Sequence, residues 1–149
     1  MTTIRVAALA AVIAFAAALA AGCGGESRAD APRRQREPNP PSKGFIDLPA
    51  NGATVDTPVR VSGWAVDESG VTGVRIYFDD ELMTTAPLVS KRPDVEKTYP
   101  QYAVPGAVHG FEAMIDAGSH AGYTVIRAVA IDGKGAQTQI FNITVKIRE

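Results

Sequence analysis

From Phe45 onward, apolar side chains return at every second position in short runs separated by turn residues, and no stretch sustains a helical period. Val59, Val61, Gly63 and Ala65 alternate with Arg60, Ser62 and Trp64. Val74, Ile76 and Phe78 alternate with Arg75 and Tyr77; Phe111, Ala113 and Ile115 follow the same rule, as do Ile126, Ala128 and Ala130. Phe141, Ile143, Val145 and Ile147 finish the pattern against Asn142, Thr144 and Lys146. A period of two sends one side of each segment into a core and the other toward water, as in the strands of antiparallel sheets. An opening strand at residues 45–48 and a short one near 82–85 bring the count to about seven.

Seven such strands in roughly 100 residues predict an all-β fold, an immunoglobulin-like antiparallel β-sandwich. Residues 44–149 are assigned to it. Upstream, Arg5 is the only charge before Glu26 and precedes the apolar run Val6 to Leu19. A basic start, an apolar middle and small residues at the end predict a secretory signal at residues 1–22, to be kept out of fold reasoning. The boundary, Leu19-Ala-Ala-Gly-Cys23, resembles the lipobox of bacterial lipoproteins, with leucine four places before the cysteine where three is commoner. That resemblance implies diacylglyceryl transfer to the Cys23 thiol and cleavage just before it, so the expected partner at this end is a lipid bilayer. Two or more acyl chains hold a protein stably where one gives marginal binding. Gly24 follows the cysteine; in the Gram-negative proteins of this type an aspartate there signals inner-membrane retention, so its absence favours the periplasmic face of the outer membrane or the cell surface.

Between Cys23 and Lys43 the chain carries four prolines and eight charges and nothing larger than alanine that would seek a core. Too little apolar surface is present to offset ordering entropy, so residues 23–43 are read as a tether. Gly24 to Lys43 holds five basic and three acidic residues, and Gly44 to Glu149 nine basic and thirteen acidic. The folded part is thus mildly acidic, which argues against nucleic acid as a partner. A single cysteine excludes an internal disulfide, and a zinc site would have only His109, His120 and carboxylates to draw on.

Three stretches carry a second resemblance: Gly44-Phe-Ile-Asp-Leu-Pro-Ala-Asn-Gly-Ala-Thr-Val55, Val61-Ser-Gly-Trp-Ala-Val-Asp-Glu-Ser-Gly-Val71 and Ala128-Val-Ala-Ile-Asp-Gly-Lys-Gly135. They resemble the bacterial Ig-like (Big) domains of secreted and surface proteins. Arg92-Pro-Asp-Val95 and Tyr99-Pro-Gln-Tyr102 are similar to a variant with a long loop in mid-domain. The resemblance implies the fold; such domains serve as spacers, adhesin stalks and accessory modules, so it does not choose a function.

Strand order places the connections 67–70, 90–108 and 132–135 at one end, where a partner protein or glycan is expected to dock. The middle connection is longer than most and holds Arg92, Asp94, Tyr99 and Tyr102, the candidate binding residues together with Trp64. The expectation is that it packs back on its own domain, covering Val125 and Val129, with Tyr99 and Tyr102 either as the cover or as a stacking surface for sugar rings. Trp64 points outward by alternation; it is either a sugar platform or, as expected, absorbed by a bulge at Gly63 or by cover from the opening strand and long loop. Asp67, Glu68 and Asp132 together offer oxygen ligands for calcium, against the commoner use of Asp-x-Ser-Gly and Asp-Gly-x-Gly as self-capping turns. Asp79, Asp80 and Glu81 are expected in a solvated hairpin turn at the other end. Both histidines fall in polar connections and no serine occupies a strained Gly-x-Ser-x-Gly turn, so a non-catalytic binding or adhesion module without a resident cofactor is expected, with a structural envelope spacer or an enzyme's accessory module as alternatives.

Overall fold

The computed structural model describes residues 38–148; the signal segment, Cys23 and the tether up to Glu37 lie outside them. Nine strands are present among the described residues: β1 (Lys43–Leu48), β2 (Thr54–Val55), β3 (Val59–Val66), β4 (Val71–Phe78), β5 (Glu81–Ala86), β6 (Leu88–Ser90), β7 (Gly110–Ile115), β8 (Gly122–Asp132) and β9 (Gln137–Ile147). They form a four-stranded sheet in the order β1-β3-β7-β6 and a five-stranded sheet in the order β2-β9-β8-β4-β5. All pairings are antiparallel except that of β2 with β9. The immunoglobulin-like sandwich is therefore as expected, with β2 and β6 added. At two and three residues those strands are too short to show a period.

The core is the set the alternation selects. Val59, Val61 and Ala65 of β3, Val74, Ile76 and Phe78 of β4, Phe111 and Ile115 of β7, Ile126, Ala128 and Ala130 of β8, and Ile143, Val145 and Ile147 of β9 are all buried. Gly63 lies between β1 and β7, paired with Ile46 and Phe111; its register with β7 is regular, whereas that with β1 shifts immediately beyond, between Ile46 and Leu48. A Cβ there would meet the Phe45 carbonyl and the Phe111 ring, so close approach requires glycine, and the expected bulge lies beside it with Asp47 of β1 as the extra residue.

Three expectations are corrected. The folded chain begins upstream of residue 44: Lys43 opens β1, Ser42 is buried, and Asn39 and Ser42 are hydrogen-bonded to the domain, so the tether gives way to the sandwich several residues before its polar composition ends. The long connection is not all loop, for Pro93–Thr98 form a short helix, α1, and Pro100–Tyr102 a 3-10 turn. Pro93 at the first helical position, Asp94 and Glu96 in the first turn and Lys97 in the last suit the start and end of a helix, and Val95 is its one buried residue. Finally, this connection covers the four-stranded sheet; it leaves Val125 on the other sheet 38% exposed.

Candidate functional site

The three connections do meet at one end. The Gly133 N–H donates to the Gly70 carbonyl at 2.9 Å, joining the β8–β9 turn to the β3–β4 turn. Each turn is organised by an aspartate. Asp67 Oδ1 accepts from the Ser69 N–H and hydroxyl at 2.8 and 2.7 Å, and Asp132 Oδ1 accepts from the N–H groups of Lys134 and Ala136, both at 2.8 Å. The second oxygen of each holds the entering chain: Ser42 Oγ donates to Asp67 Oδ2 at 2.9 Å and Asn39 Nδ2 to Asp132 Oδ2 at 2.6 Å. Donation from Asn39, reinforced by the Ala136 and Lys134 N–H groups, holds the Asp132 carboxyl below the ordinary carboxylate range. The self-capping turn is thus what the structure displays. Both oxygens of Asp67 and of Asp132 already accept hydrogen bonds, Glu68 is exposed, and among the described residues no group of three potential ligands is arranged for a metal.

Beside this clasp lies a cavity of about 300 Å³, walled by Val66 and Val71 of β3 and β4, Leu88 of β6, and Tyr102, Val104 and Val108 of the long connection. Val104 and Val108 stay exposed at its rim, and Asp67, Glu68 and His109 add polar groups. His109 is buried, contrary to the expectation of a polar connection. Its N–H donates to the Ser90 carbonyl and its carbonyl accepts from Ala65, so its backbone extends β7 inside the sheet. Its Nε2 has no hydrogen-bond partner and stands 3.8 Å from Glu96 Oε1. The lining contains no serine, threonine, cysteine or lysine among the described residues; its chemistry-bearing side chains are Asp67, Glu68, Tyr102 and His109.

The candidate binding residues gather on the outer face of the four-stranded sheet. Trp64 faces outward, half-buried, and the Tyr99 ring lies against it with centroids 5.6 Å apart; Tyr102 follows Tyr99 at 6.3 Å and Lys43 Nζ sits 5.4 Å from the Tyr99 centroid. A cleft of about 180 Å³ remains between Trp64, Tyr99, Asp94, Val95 and Thr98. Arg92 and Asp94 are not free to recognise a ligand. Two guanidinium nitrogens fork onto Asp94 at 2.9 and 2.6 Å, and a third reaches Asp47 of β1 at 2.6 Å. That fork holds the Asp94 carboxyl down at about 2 and raises Arg92 further above its ordinary value. Gly110, opposite Trp64 on β7, lets the Arg92 stem lie against the sheet, so the pair fastens the long connection to β1.

At the opposite end, Asp79 and Glu81 are more than solvated. His120 Nε2 is 3.2 Å from Glu81 Oε2 and its Nδ1 3.6 Å from Asp79 Oδ2. Asp79, with φ of 52°, accepts from the Val125 N–H at 3.0 Å.

A two-sheet immunoglobulin-like sandwich with its turns and a cavity at one pole is the class the geometry defines. Residues 45–92 match the family model of the bacterial Ig domain, which is consistent with the immunoglobulin-like sandwich. Among solved structures the chain is similar to a fibronectin(III)-like module of Clostridium thermocellum CbhA, at 17% identity over 70% of this chain and 94% of that one, with a TM-score of 0.44. It is also similar in fold to the endo-β-1,4-mannanase from Thermotoga petrophila, at 13% identity and a TM-score of 0.51. That likeness spans 76% of this chain and 21% of the mannanase. No curated protein matches the chain.

Proposed function

We propose that the protein is a lipid-anchored, non-catalytic binding module of the bacterial cell envelope, which meets a protein or glycan partner with the long-loop end of its Ig-like domain. The observation that carries this reading is the apolar cavity at that pole, of the size that encloses one ring or side chain, with Tyr102, Val104 and Val108 at its mouth. The anchor rests on Cys23 and its lipobox resemblance. The clasp by Asp67 and Asp132 makes the chain enter the domain beside the cavity.

Pull-down of envelope proteins together with a glycan array, using the full chain, tests the binding. A captured partner whose retention is lost in Val104→Asp or Tyr102→Ala supports it; empty screens, or capture indifferent to both, refute it. Mass spectrometry of the mature N-terminus tests the anchor separately, an unmodified Cys23 refuting it. Were the screens empty while deletion weakened the envelope, a structural spacer would be the better reading.

A further inference from the structure

The five-stranded sheet carries its own unclaimed surface on the face turned away from the core. Arg127 stands at its centre in β8, opposite Asn142 on β9 and Tyr77 on β4. Its guanidinium lies over the Tyr77 ring, 4.7 Å from the centroid, which holds it flat against the sheet. Yet its Nε is buried without a hydrogen-bond partner. The nearest carboxylate, Asp80, is 3.8 Å from Nη2, beyond hydrogen-bond distance, and its side chain is fully exposed. The partly exposed terminal nitrogens of this fixed guanidinium also make no hydrogen bond to a described residue, and they are the donors an acceptor from outside can reach.

The neighbours say which acceptor. A shallow, open depression of about 320 Å³ is lined by Arg127, Asn142, Gln139, Asp79, Asp80 and Val125. Asn142 and Gln139 are exposed and make no side-chain hydrogen bond with another described residue. Their presence together depends on a β-bulge. Ala128 pairs with Phe141 but Val129 with Gln139, so Ile140 is the extra residue. Ile140 and Phe141 both turn inward against the core, which leaves Gln139 and Asn142, three apart in sequence, on one outer face.

The depression therefore offers donors from Arg127, acceptors from Asp80, both kinds from the two amides, and one apolar contact in Val125. An apolar peptide would bury the amides and guanidinium unpaired, and a polyanion would meet two aspartates. Hydroxyl groups, each at once donor and acceptor, on a ring with an apolar C–H face match the exposed amides, the terminal guanidinium nitrogens, Asp80 and Val125. We propose that this face is a subsite for a neutral saccharide, separate from the loop-end cavity.

The test is titration of the full chain, followed by NMR or calorimetry, with cellotetraose, mannotetraose and triacetylchitotriose, and with an oligogalacturonate as the acidic comparison. At least one neutral oligosaccharide is expected to bind. Asn142→Ala with Gln139→Ala, both at exposed positions, is expected to weaken that binding at least about tenfold, as the loss of a net hydrogen bond or two requires. Arg127→Ala abolishes it, and the double variant guards against a folding effect there. Tyr102→Ala leaves it unchanged, which separates this site from the loop end. The proposal is overturned if no neutral probe binds, if only the uronate binds, or if binding survives the double variant.

Discussion

The two sheets of this sandwich each turn an aromatic residue and a charged neighbour toward water, and the molecule treats them in opposite ways. On the four-stranded sheet, Trp64 is covered by Tyr99, and α1 is tied down over it by the Arg92 fork to Asp94 and Asp47. On the five-stranded sheet, Tyr77 has only Arg127 above it, and Val125 is left exposed. Alternation dictated both outward residues; connection length decided their fate. The β6–β7 connection is long enough to fold back over its own sheet, while β8 and β9 are joined by a tight turn with nothing to spare. An outward aromatic under a long connection becomes structure, and one without such a connection stays available.

The difference can be broken most forcefully from beneath. Gly63→Val forces a side chain between the Phe45 carbonyl and the Phe111 ring under the covered face, and is expected to cost about 2–3 kcal/mol in chemical unfolding; a loss below about 0.5 kcal/mol would mean that the two strands can part there freely. Trp64→Ala should cost about 1–2 kcal/mol, since the indole is half-buried against Tyr99. As Trp64 is the only tryptophan, Tyr99→Ala should shift the protein's fluorescence emission to the red, and an unmoved spectrum would show that the cover does not form in solution.

A smaller effect comes from acid. The Asp94 carboxyl is held down to about 2 by Arg92 in the folded chain, against about 3.9 when unfolded. A depressed folded value contributes stability that is present above the unfolded value and lost as pH falls through the folded one. The fastening of α1 should therefore weaken between about pH 4 and pH 2, seen as a red shift of Trp64 emission before global unfolding, and Asp94→Asn should remove that step. Smallest of all, Val125→Ala on the bare face should change stability by no more than about 0.5 kcal/mol. A larger loss would reveal a cover on that face, and with it the end of the contrast.

The strands and their inward residues were legible because a period of two survives wherever a strand is long enough to repeat it. β2 and β6 are too short for that, and α1 buries only Val95, which leaves no helical stripe to read. The outward aim of Trp64 followed from alternation, and the self-capping role of Asp67 and Asp132 from their turn motifs. What those aspartates do with their second oxygens was hidden, because Asn39 and Asp132 stand 93 positions apart and no local pattern joins them. The bulge at Ile140 was hidden for a different reason: Ile140-Phe141 reads as one apolar run, and only the pairing with β8 reveals that both turn inward. Arg127 carries no local signal, because what surrounds it comes from Tyr77 and Asn142 on two other strands.

The clasp of Asn39 and Ser42 also bears on force. It fixes the point where the chain enters at the pole carrying the β8–β9 turn, while β9 ends at the opposite pole, where Ile147 pairs with Gly122. Tension between those two points runs along β1 and along the parallel β2–β9 pair, so their hydrogen bonds share it in shear instead of opening one after another like a zip. Pulled by its ends, this domain should yield abruptly and at high force, and Asp132→Ala should let the first few residues peel away well before the sandwich gives.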